Sequence, residues 1–171
     1  PVRVMVMKDS SLVRKTYILR RGNYDQHLDE VRCNTPKAIL PFDTTKYPQS
    51  RLGLAEWVVN KKNPLTARVY VNRLWQEFFG RGLVKTSGDF GMQGEMPSHP
   101  ELLDWLSLDF MDHGWDIKRL VKQIVMSATY RQSAVITKDA KETDPENIFL
   151  SHAPRLRLSA EGSRDMVLAS S

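Results

Sequence analysis

The sequence predicts a mainly α domain of about four helices with a small β-hairpin at its N-terminus. Three observations carry that reading. Apolar residues recur at helical spacing between residues 51 and 128. Helix punctuation sits at the right places, with Pro64 and Pro100 at helix starts and Gly80 or Gly82, then Gly114, at helix ends. Two short segments near the N-terminus read as strands, the first by its alternation. At 171 residues the chain is long enough for one domain with a substantial core. It reads as a single domain, residues 1–171, with a hairpin over 1–22, a strap loop over 23–49 and a helical body over 50–171.

Residues 2–7, VRVMVM, alternate Val2, Val4 and Val6 with Arg3, Met5 and Met7 and predict a first strand. Asp9, Ser10 and Ser11 supply turn chemistry, and Lys15–Arg20 reads as the second strand. Two strands alone are marginal in water, so the hairpin is expected to pack on the helical body or join another sheet. From Gly22 to Pro48 the period is lost. This stretch is read as a strap pinned by Val31, Ile39, Leu40 and Phe42, in preference to a lid or partner-binding loop. Ser50 is placed as the N-cap of RLGLAEWVVN, with Leu52, Ala55, Val58 and Val59 at helical spacing.

Asn63 is expected to cap a second helix whose apolar face is Leu65, Val69, Leu74, Trp75, Phe78 and Phe79. Five glycines mark residues 80–98 as an irregular connection. Ser98 or His99 caps a third helix, with Leu102, Leu103, Trp105, Leu106, Phe110 and Met111 on its apolar side. Asp109 and Asp112 in its last turn sit at the unfavourable end of the helix dipole, which calls for a cation partner or a solvated end. Asp116 caps IKRLVKQIVMSA, whose stripe is Ile117, Leu120, Val121, Ile124, Val125 and Ala128. A polar stretch with a turn or helix start at Asp144-Pro145-Glu146 follows. RLRLS then leads into a last helix-like segment weakened by Gly162 and Ser163.

Charge and composition exclude several classes. The net charge of +5 lies entirely in residues 1–22, where six Lys or Arg face Asp9, so the remaining residues are balanced. A phosphate-tracking surface would spread its charge over a groove or helix face. Nucleic-acid binding is therefore disfavoured, with the basic hairpin as the one place for it. No run of about 18 apolar residues exists, so no membrane-spanning helix is expected. Cys33 is the single cysteine, which removes an intrachain disulfide, a thiolate zinc cluster and a C-x-x-C-H haem attachment.

Asp89-Phe90-Gly91 matches the kinase metal-binding tripeptide, but no companion motif is present. Asp89 is better read as an acceptor of backbone N–H groups in a glycine-rich turn. Gly88, Gly91 and Gly94 miss the dinucleotide spacing. His27, His99, His113 and His152 are scattered, without metal-ligand spacing. Arg68 and Asn72 share a helix face and, with Asp89 and Arg131, form the candidate polar cluster. It would serve either as an anion or sugar pocket or, the favoured reading, as a buried network fixing the glycine-rich loop. Trp57, Trp75, Trp105 and Trp115 are assigned to the core.

NPLTARVYVNRLWQEFFGRGLVKTSGDFGMQGEMPSHPELLDWL, GWDIKRLVKQIVMSATYRQS and RLRLSAEGSRD resemble a planctomycete-associated domain of unknown function. In that family the domain lies toward the C-terminus of multidomain proteins carrying a planctomycete-type c-type cytochrome domain. The resemblance covers essentially the whole chain. It implies an exported or envelope-associated parent, with haem in a separate domain, no cofactor in this chain, and other domains of the same polypeptide as partners. Relatives continue beyond the last helix, so the chain is expected to be a C-terminally truncated piece of a larger domain.

The resulting expectation is a domain of unknown biochemical function, most readily a structural or interaction module. The first alternative is an enzyme or binding domain for a glycan or anionic substrate, using Asp89, Glu95 or Glu101 with Arg68. A glycosidase would need two carboxylates roughly 5–10 Å apart across a cleft. The second alternative is nucleic-acid binding through the basic hairpin.

Overall fold

Tyr17 and His27 stack face to face with ring centroids 4.6 Å apart, and this pair closes the hairpin at the N-terminal end of the chain. In the computed structural model, which describes residues 3–8 and 14–170, strand β1 (Thr16–Leu19) runs antiparallel to β2 (His27–Val31). Thr16 faces Val31, Tyr17 faces Glu30 and Leu19 faces His27, with an irregularity between Tyr17 and Leu19. Lys15 pairs with Glu30 at 3.7 Å. The connecting turn is Arg20–Gln26, held by Arg20 N–H to Gln26 O and Asn23 N–H to Arg20 O, both 3.0 Å.

A hairpin therefore forms, but with a different partner from the one the alternation predicts. Residues 3–8 are not in a strand, Val2 and the expected turn at Asp9–Ser11 lie outside the described residues, and the second strand comes from the expected strap. The reason is visible in the side chains. Val4, Met5, Val6 and Met7 are all exposed, and apolar residues on both faces give no wet and dry side to fix a register. HLDEV offers a ring stack and a charge pair instead, which are the cross-strand contacts that stabilise a two-stranded sheet.

The chain divides into two compact units, the first ending at Pro64 and the second beginning at Leu65. Helix α1 (Arg51–Val58) belongs to the first, and Ser50 caps it by accepting the Gly53 N–H at 3.4 Å. Its buried positions are Gly53 and Trp57, one turn apart, while Leu52 and Leu54 are exposed, so the inward face is rotated from the predicted stripe. Close approach of backbone explains the rotation. A Cβ on Gly53 would overlap the Pro48 carbonyl oxygen and stand 3.2 Å from the Phe42 ring. The strap is pinned to α1 by Trp57 Nε1 donating to Leu40 O at 2.9 Å and Asn60 Nδ2 donating to the Tyr47 hydroxyl at 2.7 Å. Ile39, Leu40 and Phe42 are half-buried, whereas Val31 is exposed in β2 and takes no part.

In the second unit α2 (Thr66–Phe79) starts two residues later than its proline predicts, with Leu65 at the N-cap, within the usual variation of helix ends. Ala67, Val71, Trp75 and Phe79 recur every four residues and form its buried stripe, with Asn72 beside them. Gly80 ends the helix at φ +75°. Helix α3 (Pro100–Asp112) buries Leu103, Leu106, Ser107, Phe110 and Met111. Trp105 is exposed on its outer face and is not a core residue, because the inward side follows 103, 106, 107 and 110. Helix α4 (Ile117–Met126) is capped by Asp116, which accepts the Arg119 N–H at 3.0 Å, and buries Leu120 and Ile124. Ile117 is exposed.

The predicted α4 stripe ends before Ala128. Ser127 breaks the helix, its hydroxyl donating back to Ile124 O at 2.7 Å and accepting the Tyr130 N–H at 3.1 Å to start α5 (Ala128–Arg131). Short α6 (Lys138–Thr143), capped by Thr137, was hidden in the polar stretch. Asp144-Pro145-Glu146 forms a turn. Helix α7 (Ala160–Ser170) forms despite Gly162 and Ser163 and buries no residue. The core of this unit joins α2, α3 and α4 through Val71, Trp75, Phe79, Leu106, Phe110 and Leu120, with Leu83 and Val84 from the glycine-rich connection.

Candidate functional site

The site is built outward from Asn72. An asparagine in a helix interior offers one acceptor and two donors, and when fully buried all must find partners. Asn72 has no exposed surface. Its Oδ1 accepts the Val84 N–H at 2.8 Å and its Nδ2 donates to Val84 O at 3.0 Å. The side chain thus supplies to one loop residue the pair of bonds that a neighbouring strand would give. Gly82 stands against this clamp, and a Cβ there would lie 2.6 Å from Val84 O and 2.7 Å from Asn72 Nδ2. At the far end of the loop, Ser98 N–H donates to Leu83 O at 2.8 Å, so residues 83–84 and 98 form its closed neck.

Within the loop, Thr86 Oγ1 donates to Asp89 O at 2.8 Å and accepts the Glu95 N–H at 2.9 Å. Asp89 Oδ1 accepts the Gly91 N–H at 2.7 Å, the local turn role expected of that residue. Between these ties Met92 and Met96 stand outside, at 102% and 86% exposure. Both are unbranched, flexible apolar side chains.

The four residues of the predicted cluster occupy different settings. Asn72 is the buried clamp. Arg68 Nε donates to Asp104 Oδ1 at 2.7 Å on the half-exposed side between α2 and α3. Asp89 serves the loop turn, and Arg131 lies exposed at the end of α5. Asn72, Asp89 and Arg131 share no hydrogen bond or ion pair with one another among the described residues. Glu95, proposed with them as an acid, lies 4.0 Å from Arg81 and 3.8 Å from Lys85.

Arg81 is the residue that sequence reasoning missed. Its guanidinium takes Glu146 at 2.9 Å on one side and Glu95 on the other, tying the glycine-rich loop to the 144–153 turn. It borders a cleft of about 220 Å³ that is also lined by Trp75 and Phe79, whose rings stack with centroids 4.1 Å apart. The 65-residue separation of Arg81 and Glu146 leaves no local signal. The turn itself is organised by Asp144, whose two oxygens accept the N–H groups of Ile148 at 2.7 Å and Phe149 at 2.8 Å. Among the described residues no group of three or more His, Cys, Asp or Glu is placed to hold a metal, and no helix is long and apolar enough to cross a membrane.

The acid at the end of α3 has its cation after all. Arg119 on α4 grips Asp109 with both Nη atoms, Nη2 donating to Oδ1 at 3.1 Å, and His113 Nδ1 lies 3.2 Å from the same oxygen. The Arg119 hydrogen bonds hold the Asp109 carboxyl below its ordinary 3.8, against the opposing effect of burial. With the folded value depressed, the pair's contribution is complete above pH 3.8 and is lost as pH falls through the lower folded value. Asp109→Asn is expected to cost about 1 kcal/mol at neutral pH, discounted for the exposure of Arg119. In urea unfolding the gap between the two proteins should close as the pH is taken well below 3.8. A gap that stays constant with pH would assign the loss to packing.

Residues 50–171 match the PSD1 family, described as a protein of unknown function (DUF1553), and the chain belongs to that family. No curated protein and no solved structure matches it.

Proposed function

We propose that this PSD1 member is an interaction module of a larger, exported polypeptide, and that residues 85–97 are the surface it presents. The single observation that carries the reading is the contrast within that loop. Its neck is clamped by Asn72 and Ser98 and its interior by Thr86 and Asp89, yet Met92 and Met96 point out of it. Holding a loop in one conformation lowers the entropy lost when a partner binds. Methionine suits the contact, since its flexible thioether adapts to irregular apolar surfaces. The polar groups singled out as candidates for chemistry are engaged with backbone or with other side chains: Asn72 with Val84, Asp89 with Gly91, Glu95 with Arg81 and Lys85. The partner in this reading is the remainder of the parent polypeptide, including a c-type cytochrome domain that carries the haem.

Met92→Asp with Met96→Asp tests it. Both sites are fully or largely exposed, so the melting temperature should hold to within about 2 °C. Affinity for the separately expressed remainder of the parent should fall at least about tenfold, the loss of roughly one buried apolar anchor. An unchanged affinity would remove the loop from the interface.

A further inference from the structure

The charges of α6 are sorted by side. Lys138 and Lys141, three residues apart on the helix, line a cleft of about 620 Å³ together with His152 and Arg155 from the segment that follows. Asp139 and Glu142, offset by one residue, do not line it. Asp144 is the one acid on its wall, and both its oxygens are taken by the Ile148 and Phe149 N–H groups. None of Lys138, Lys141 and Arg155 forms an ion pair among the described residues. Beside the cations the wall carries Val135 and Ile136, which are 70% and 46% exposed. A cationic cleft with apolar contacts thus lies in a part of the chain that the methionine loop does not use.

We propose that this cleft is a docking site for an acidic peptide segment carrying an apolar residue among its carboxylates. Charge complementarity selects the sign of the ligand: three cations line the cleft, and the one carboxylate on its wall is already hydrogen-bonded through both oxygens. The apolar wall selects a peptide over a bare phosphate or sulfate, which would leave Val135 and Ile136 unused. Volume agrees, since the space lies within the roughly 300–1,000 Å³ of ordinary ligand clefts and exceeds any single inorganic anion. Lysines, as flexible point charges, accept carboxylates in varied geometry, which suits a side-chain ligand on an extended segment. The site stands independently of the methionine loop, and either can fail without the other.

The test uses the full chain and a fluorescent octapeptide of alternating Glu and Leu, followed by anisotropy at about 50 mM and about 300 mM salt, where screening separates charge attraction from apolar contact. Binding is expected at low salt, weaker but present at high salt. Lys138→Glu with Lys141→Glu should weaken it at least about tenfold, while the same-helix control Asp139→Lys with Glu142→Lys keeps it. Arg155→Glu should reproduce the loss from a second segment, so that the result does not depend on α6 alone. Thermal unfolding of each variant checks that it is folded. No binding at low salt, or an affinity unmoved by both cleft variants, overturns the site. Tighter binding of a sulfated disaccharide or a DNA oligonucleotide than of the peptide overturns the peptide assignment.

Discussion

Asn72→Ala is expected to destabilise the second unit by about 3 kcal/mol, because it strands two buried backbone groups at once. The Val84 N–H and C=O both terminate on the Asn72 amide, and each orphaned group costs roughly 1–3 kcal/mol. Alanine has the better helix propensity, but the gain is under about 1 kcal/mol, too small to offset the loss. Val84 and Leu83 are part of the core, so the loss also loosens hydrophobic packing. For a unit of this size the melting temperature should drop by roughly 12 °C or more. Calorimetry reads that directly. A shift of only a degree or two would mean that Val84 finds other partners and that the clamp is dispensable.

Gly53→Ala should destabilise the first unit by about 2 kcal/mol, a net of overpacking and helix propensity with opposite signs. Glycine within a helix normally weakens it by about 1 kcal/mol relative to alanine, so an exposed Gly53 would be improved by the change. The Pro48 carbonyl decides otherwise. It would overlap the new Cβ, and it is backbone, so no rotamer change relieves the clash. Either α1 moves outward or residues 42–48 do, and both motions stretch the Trp57–Leu40 bond of 2.9 Å. Faster hydrogen exchange across residues 48–58 would register the displacement. A stabilised variant would show that the strap yields at little cost.

The helices were legible because their ends are chemically marked. Ser50, Asp116 and the His99–Pro100 pair start α1, α4 and α3 as the sequence predicts, and Gly80 stops α2. Which face turned inward was less legible. On α1 the inward side is set by Gly53 meeting a carbonyl, a contact with no hydrophobic signature. On α3 the helix has more large apolar residues than its inward side takes, and Trp105 is left outside. The hairpin partner was misread because residues 2–7 alternate more regularly than HLDEV, whose pairing depends on the Tyr17 ring and the Lys15 ammonium across the turn, 10 residues from His27 and 15 from Glu30. Tertiary partners of that kind override strand propensity.

The candidate cluster was legible in kind but not in arrangement. Asn72 was singled out as a polar residue sharing a helix face with Arg68, and Asp89 as an acid among glycines; both bond to backbone. Arg81 did not stand out, since its carboxylates lie on two other segments. Met92 and Met96 carried a faint signal, as apolar residues in a glycine-rich stretch without any period, and only their exposure reveals it.

In the proposed function, residues 85–97 are presented to another part of the parent polypeptide by a neck fixed at Asn72. Hydrogen exchange of the chain, alone and mixed with the separately expressed remainder of the parent, tests it most directly. The account predicts that residues 88–97 gain protection in the mixture while Val71 to Phe79 of α2 stay as slow as before. Protection that appears elsewhere and leaves residues 88–97 unchanged would contradict it.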